Sequence, residues 1–323
     1  MSLFSLNGYI KYHRLQRWKF MFLPVVLRII PDGIRFDFVR RGRVAVCLSM
    51  VFTLLSLVLV GIKGIELGTD FTGGVVVNFE LQSGTADVEH VKSVLVEAGL
   101  DGISVQGFKE NANEFMVVFR GKKSSESHVA VDVVKNALAG LGSVTYKKLD
   151  YVGAQIGAAQ IKSGIMAVLG ALACMFVYLC VRFRWQFAVG GVIALVHDVV
   201  ITMGMVSATG LEFGLPSMAA ILMIIGYSVN DSVVIYDRVR ELMAGPDIGD
   251  AKHVINTSIN STLSRTLLTS GTTLLAALPL ILMCDGAVRD LGIIAFFGVV
   301  VGTYSSIFVS TIPFTGSIQR MLK

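Results

Sequence analysis

Hydrophobic and polar positions follow two different rhythms along this chain. At the coarse scale, six apolar runs occupy residues 44–62, 163–181, 187–210, 215–236, 262–283 and 291–314, each about 19–24 residues long. Such a run crosses a hydrocarbon core of ~30 Å at ~1.5 Å per residue. At the fine scale, residues 63–162 break into short periods. "GVVVNFEL" alternates like a strand, and "TADVEHVKSVLVEAGL" has helical spacing, with Thr85 as a cap and Gly99 near the stop. "ISVQGFKENANEFMVVFR" reads as two strands about an Asn-rich turn. "SSESHVAVDVVKNALAGLG" is helical again, and "SVTYKKLDYVG" closes with a strand. The order β-α-β-β-α-β is that of a ferredoxin-like sandwich, with helices on one face of an antiparallel sheet. The predicted class is a polytopic α-helical membrane protein of six transmembrane helices with an extracytoplasmic α+β ferredoxin-like domain.

Composition agrees with that class. Of 323 residues, 54% are hydrophobic and 16% charged, with a mean hydropathy of +0.70, whereas soluble domains carry roughly 25% charged residues. The net charge of +5 says less than where the basic residues stand. Residues 1–43 form a basic segment holding Lys11, Arg14, Arg17, Lys19, Arg28, Arg35, Arg40, Arg41 and Arg43. The 182–186 loop adds Arg182 and Arg184, the 237–261 loop Arg238, Arg240 and Lys252, and the 315–323 tail Arg320 and Lys323. On the other side Arg289 stands against Glu212, Asp285 and Asp290. The positive-inside rule puts both termini in the cytoplasm and 63–162 outside it. "FMFLPVVLRII", interrupted by Pro24 and Arg28, reads either as a surface-lying amphipathic segment or as part of a basic tail, and no secretory signal stands out. Cys47, Cys174, Cys180 and Cys284 lie in or beside apolar runs without a CxxC pair, which argues against disulfides and thiolate metal sites.

The candidate chemistry lies inside the apolar runs. In "GYSVNDSVVIYDRVRE" (226–241), Asn230 and Asp231 interrupt a lipid-like segment. Asp231 stands six residues before Asp237, roughly 9 Å along a helix. An ionised Asp at a helix centre costs ~2.5–3.5 kcal/mol on insertion scales. It escapes by taking a proton or by pairing with a cation, and Arg265 is the only Lys or Arg inside an apolar run. Two antiparallel neighbouring helices would set Asp231 and Arg265 at comparable depth. A carboxylate pulled both ways can alternate between loaded and empty, as a proton-driven machine requires. The plainer alternative is a packing carboxyl with Arg265 snorkelling to the interface. His197 and Asp198 are proton-path or packing candidates, as are Tyr227, Ser228, Thr262 and Thr269. Ser258, Thr262, Arg265, Thr269 and Thr272 follow at steps of three and four, which draws a polar stripe down one helix. Asp237, Arg238, Arg240 and Glu241 read most simply as a solvated helix end. "GTDFTGG" (68–74), with Gly68, Asp70, Gly73 and Gly74, reads as a hinge between membrane and domain, or simply as the turn that starts the first strand. The sequence holds no HExxH, GxSxG or GxxxxGK[ST], so an enzyme, a metal site and a bound cofactor are not expected.

Four stretches carry a family resemblance: "GTDFTGG", "GYSVNDSVVIYDRVRE", "INSTLSRTLLTSGTT" (259–273) and "VGTYSSIFVSTIPF" (301–314). From about residue 36 onward the chain resembles the SecF side of the SecD/SecF family, bacterial inner-membrane subunits related to the resistance-nodulation-division transporters. The resemblance implies a SecD-like partner subunit, work beside the SecYEG channel on exported precursor proteins, a surround of membrane lipids, no nucleic acid and no use of ATP. It further implies late-stage movement of precursors driven by the proton motive force, with Asp231 and Arg265 linked to proton flow. The alternatives are a proton-coupled small-molecule exporter of the same superfamily, an intramembrane aspartyl protease built on Asp198 and Asp231, and a non-transporting scaffold. "SVND" stands where the protease would need GxGD.

Overall fold

The computed structural model describes residues 36–82, 87–100, 103–107, 113–119, 124–152, 154–245 and 250–321. The reading of residues 1–35, Thr85 and most of the Asn-rich turn therefore lie outside the described residues. In chain order the elements are α1 (Phe38–Lys63), the single turn α2 (Thr69–Thr72), β1 (Gly74–Leu81), α3 (Val88–Glu97), β2 (Ile103–Gly107), β3 (Glu114–Phe119), α4 (Ser124–Ala139), β4 (Val144–Val152), α5 (Ala154–Arg182), α6 (Trp185–Thr209), α7 (Leu215–Met243), α8 (Ala251–Met283), α9 (Gly286–Phe308), a 3-10 turn (Ile312–Phe314) and α10 (Thr315–Met321).

Among the described residues, six helices are long and apolar enough to cross a membrane. They run past the apolar segments. α5 opens at Ala154 and α8 at Ala251, so much of the stretch read as a loop before residue 262 is helix. Apolarity marks only what suits lipid, whereas a helix continues wherever its ends are satisfied. Asp250 caps α8 by accepting the His253 N–H at 2.9 Å.

Burial sorts the six helices. The apolar windows of α6, α7 and α9 are 50%, 50% and 56% buried, against 11%, 6% and 17% for α1, α5 and α8. The first three form the inner bundle. In lipid, helices associate through close packing, which small residues permit. Gly298 of α9 receives Ile224 of α7, and Gly204 of α6 receives Ser56 of α1. A Cβ on Gly204 would fall 2.3 Å from that of Ser56. Gly204→Val is expected to wedge α1 from α6 and cost ~1–3 kcal/mol. Thermal unfolding in detergent reads this, and an unchanged midpoint would show that the contact is dispensable.

The start of α1 is tied to α8. Asp37 accepts the Arg40 N–H at 3.0 Å and Asn256 Nδ2 at 3.0 Å. The Val39 N–H donates to Asn256 Oδ1 at 3.1 Å, and Asn260 exchanges two 2.9 Å bonds with the Phe36 backbone. The Arg40 N–H, then Asn256, hold the Asp37 carboxyl below its usual range. A depressed carboxyl stabilises the fold above its unfolded value of ~3.9, and that contribution is lost as pH falls through the lower folded value. The stability difference between wild type and Asp37→Asn is therefore expected to be steady at neutral pH and to vanish only in acid, as a pH series of melting curves would show.

The domain between α1 and α5 has the sheet order β2-β3-β1-β4, antiparallel throughout. Alternation along β1 buries Val75, Val77, Phe79 and Leu81 on one face, against Val91 and Leu95 of α3 and Val134 and Leu138 of α4. That is the ferredoxin-like sandwich, helices on one side. Asp87 stands at the N-cap of α3, and Gly99 follows its end at φ 86°. On the sheet, Lys147 lies between Glu114 (2.7 Å) and Glu80 (3.2 Å), which raise the pKa of its ammonium.

Candidate functional site

The inner helices meet around Asp198, which is 1% exposed. Its Oδ2 accepts Ser228 Oγ of α7 at 2.6 Å and Ser305 Oγ of α9 at 2.8 Å, and its Oδ1 lies 2.9 Å from His197 Nδ1. Gly302 permits this approach, since a Cβ there would sit 3.2 Å from that of Ser228 and 3.6 Å from Asp198 Oδ2. Both oxygens of Asp198 are thus engaged. His197 Nε2 and Thr202 Oγ1 are buried nearby without a hydrogen-bond partner among the described residues. A second chain of hydroxyls crosses α7, α8 and α9. Tyr227 OH donates to Ser270 Oγ at 3.1 Å, Ser270 Oγ meets Thr303 Oγ1 at 2.7 Å, and Thr303 bonds the Val299 carbonyl at 2.7 Å.

Asp231 stands three residues beyond Ser228 on α7, on the same face. It is 3% exposed, and its Oδ2 is buried with no hydrogen-bond partner among the described residues. Asn230 beside it is exposed, and so is Arg265 on α8. Among the described residues no ion pair joins Asp231 to Arg265; the guanidinium acts on the carboxyl only through its field. The two groups expected as a pair are therefore neighbours without a bond. The cause is the direction of Arg265, which leaves α8 on a face that the described helices do not cover. The polar stripe turns the same way. Ser258 and Thr262 are buried, Thr269 is half-buried, and Arg265 and Thr272 are exposed. The Thr262 and Thr269 hydroxyls bond carbonyls of their own helix. At the end of α7, Asp237 pairs with Arg182 at 2.8 Å and Arg240 at 2.7 Å, all well exposed. Among the described residues no three His, Cys, Asp or Glu converge as a metal-ligand set.

The 66–74 segment is fastened to the α6–α7 loop. The Gly68 N–H donates to the Phe213 carbonyl at 3.0 Å, and the Phe213 N–H to the Glu66 carbonyl at 2.8 Å. Asp70 Oδ2 accepts the Leu215 N–H at 2.9 Å. Gly73 adopts φ 74°, and Gly74 opens β1.

A family model described as "Protein export membrane protein SecD/SecF, C-terminal" matches residues 133–315. The chain belongs to the SecD/SecF family. Protein translocase subunit SecF of Rickettsia bellii (strain OSU 85-389) is 42% identical over 288 residues, 88% of this chain and 94% of that protein. SecF of Rickettsia typhi is 41% identical over 286 residues, 88% of this chain and 92% of the relative. Among solved structures, SecDF from Thermus thermophilus superposes with a TM-score of 0.75 at 34% identity, over 86% of this chain. A super-membrane-facing form of SecDF gives 0.69 at 33% identity, over 91%. This chain spans 38% and 40% of those two SecDF chains. Membership in the SecD/SecF family and six apolar helices make the chain a multi-pass protein of the bacterial inner membrane.

Within this SecD/SecF fold, sequence reasoning did not single out Ser270, Thr303 and Ser305. For Thr303 and Ser305 the available signal was "GTYSS" (302–306), as dense in small polar residues as the stripe on α8. It carries no charge, so nothing in its cost pointed to a function.

Proposed function

We propose that this chain is the SecF-type half of a proton-driven Sec export machine, with Asp231 as the group that loads and releases the proton. The observation that carries this reading is the buried Oδ2 of Asp231, without a partner among the described residues, beside the exposed Asn230 and Arg265. An ionised carboxylate does not persist unpaired in a dry interior. Asp231 must therefore take a proton or receive a partner as helices shift. Those are two states of one site, and alternation between them is what coupling needs. Moving one charge across 100 mV is worth ~2.3 kcal/mol, so a few protons can do mechanical work.

An exposed Arg265 and Asn230 in mid-span suit a protein surface better than lipid. A SecD-like subunit is the cover, in keeping with the greater length of the SecDF chains. The machine acts beside SecYEG on precursor proteins, with both termini cytoplasmic and the sandwich domain outside. The protease reading is disfavoured because both oxygens of Asp198 are already bonded. In inverted vesicles carrying the partnered complex, Arg265→Gln is expected to assemble and to lose the part of export that depends on the gradient. Export equally stimulated by the gradient in mutant and wild type would overturn the reading.

A further inference from the structure

α7 begins without a cap of its own. Its N-cap residue is Gly214, and its first turn holds no acidic residue. The first N–H groups of a helix have no partner within it. The Leu215 N–H is satisfied by Asp70, from 145 positions away in the chain. Gly214 makes room for this: a Cβ there would stand 2.9 Å from Asp70 Oδ2.

The carboxylate belongs to a wider clasp. Leu67 and Phe213 form a short parallel bridge, and the Phe71 and Phe213 rings stack at 5.9 Å, both buried. The Phe71 carbonyl rests on Gly157 of α5, where a Cβ would come within 2.2 Å of it. The backbone bridge ends at Phe213, and Gly214 separates it from α7. The Asp70 bond carries the connection past that glycine onto the helix itself. Three residues after Asp70, Gly73, at φ 74°, turns the chain into β1 of the domain.

We propose that Asp70 is the positioning residue that couples α7 to the extracytoplasmic domain, making segment 66–72 a rigid clasp with its pivot at Gly73. This rests on the proposed role of Asp231, which rides on the same helix. When α7 shifts as Asp231 changes state, the clasp delivers the displacement to the central strand of the sandwich. A link through the α6–α7 loop alone would be absorbed at Gly214.

Three variants in the partnered complex in inverted vesicles test this, with gradient-dependent stimulation of export and co-purification of the partner both measured. Asp70→Asn keeps an acceptor for the Leu215 N–H and should retain stimulation. Asp70→Ala should assemble, export at the level seen without a gradient, and gain nothing from one. The double variant Asp70→Ala with Gly214→Ser returns a cap to α7 from its own N-cap, where serine is favoured, but does not restore the bond from the clasp to the helix. It should remain unstimulated even if Asp70→Ala alone assembles poorly. Stimulation restored by the serine would show that Asp70 is only a helix cap and would overturn the coupling role, as would full stimulation in Asp70→Ala. A wild type that gains nothing from the gradient would remove the proton reading together with this one. A stimulated wild type beside a stimulated double variant removes this one alone.

Discussion

Vesicles carrying Asp231→Asn are expected to assemble the complex normally and to export no faster with a proton gradient than without one. The amide has the shape of the carboxyl but cannot exchange a proton at this pH, so it holds the site in one state. Packing should tolerate it, because Asp231 Oδ2 makes no hydrogen bond that the substitution would break. A carboxyl kept only for packing would therefore give an active, fully stimulated variant, and that result would end the proton role. Arg265 sharpens the expectation. The arginine is exposed, and among the described residues no bond holds the two groups together, so relaxation of a broken pair does not complicate the phenotype.

Asp198→Ala is expected to fail for the opposite reason. Asp198 is the acceptor for Ser228 and Ser305 and the partner of His197. Its loss strands the Ser228 hydroxyl and the His197 imidazole at the centre of the bundle, while Ser305 keeps the Gly302 carbonyl as an acceptor at 3.1 Å. An unsatisfied buried group costs ~1–3 kcal/mol in water-soluble proteins. Hydrogen bonds between membrane helices average ~0.6 and reach ~1.7 kcal/mol. The sum is a destabilisation of roughly 2–5 kcal/mol, read as a lowered unfolding temperature in detergent and a reduced amount of complex in the membrane. Asp198→Asn keeps one carbonyl acceptor and should fall between. Wild-type stability in the alanine variant would mean that Ser228 and His197 find other bonds. The two aspartates thus differ in what they are expected to break: one stops the work of an intact complex, the other weakens the complex itself.

That difference was only half legible in the amino-acid order. Asp231 announces itself because a charge inside an apolar run is a local anomaly with a known cost. The six spans and the sandwich are equally local, written in periods of 3.6 and 2. The side from which a residue is met is not local. Arg265 lies on a polar stripe whose buried and exposed parts are set by where α7 and α9 end their contact, not by the stripe. Asp198 looks like Asp231 in sequence, yet Ser228 of α7 and Ser305 of α9 satisfy it where Gly302 leaves room. The Asp70 cap spans 145 positions, and no motif window joins its two ends. The early start of α8 escaped for another reason: hydropathy is low ahead of residue 262, while the helix already opens at Ala251.

The bonds between the start of α1 and Asn256 and Asn260 bear on how the protein is made. Val39 and its acceptor are separated by 217 positions. At ~5–20 residues per second, translation needs roughly 10–40 s to supply the second after the first. The first span therefore enters the bilayer with its leading end unfastened and waits there while three more, α5, α6 and α7, are made. Only then can the nascent chain latch shut, so a ribosome stalled before residue 256 leaves a subunit inserted but open.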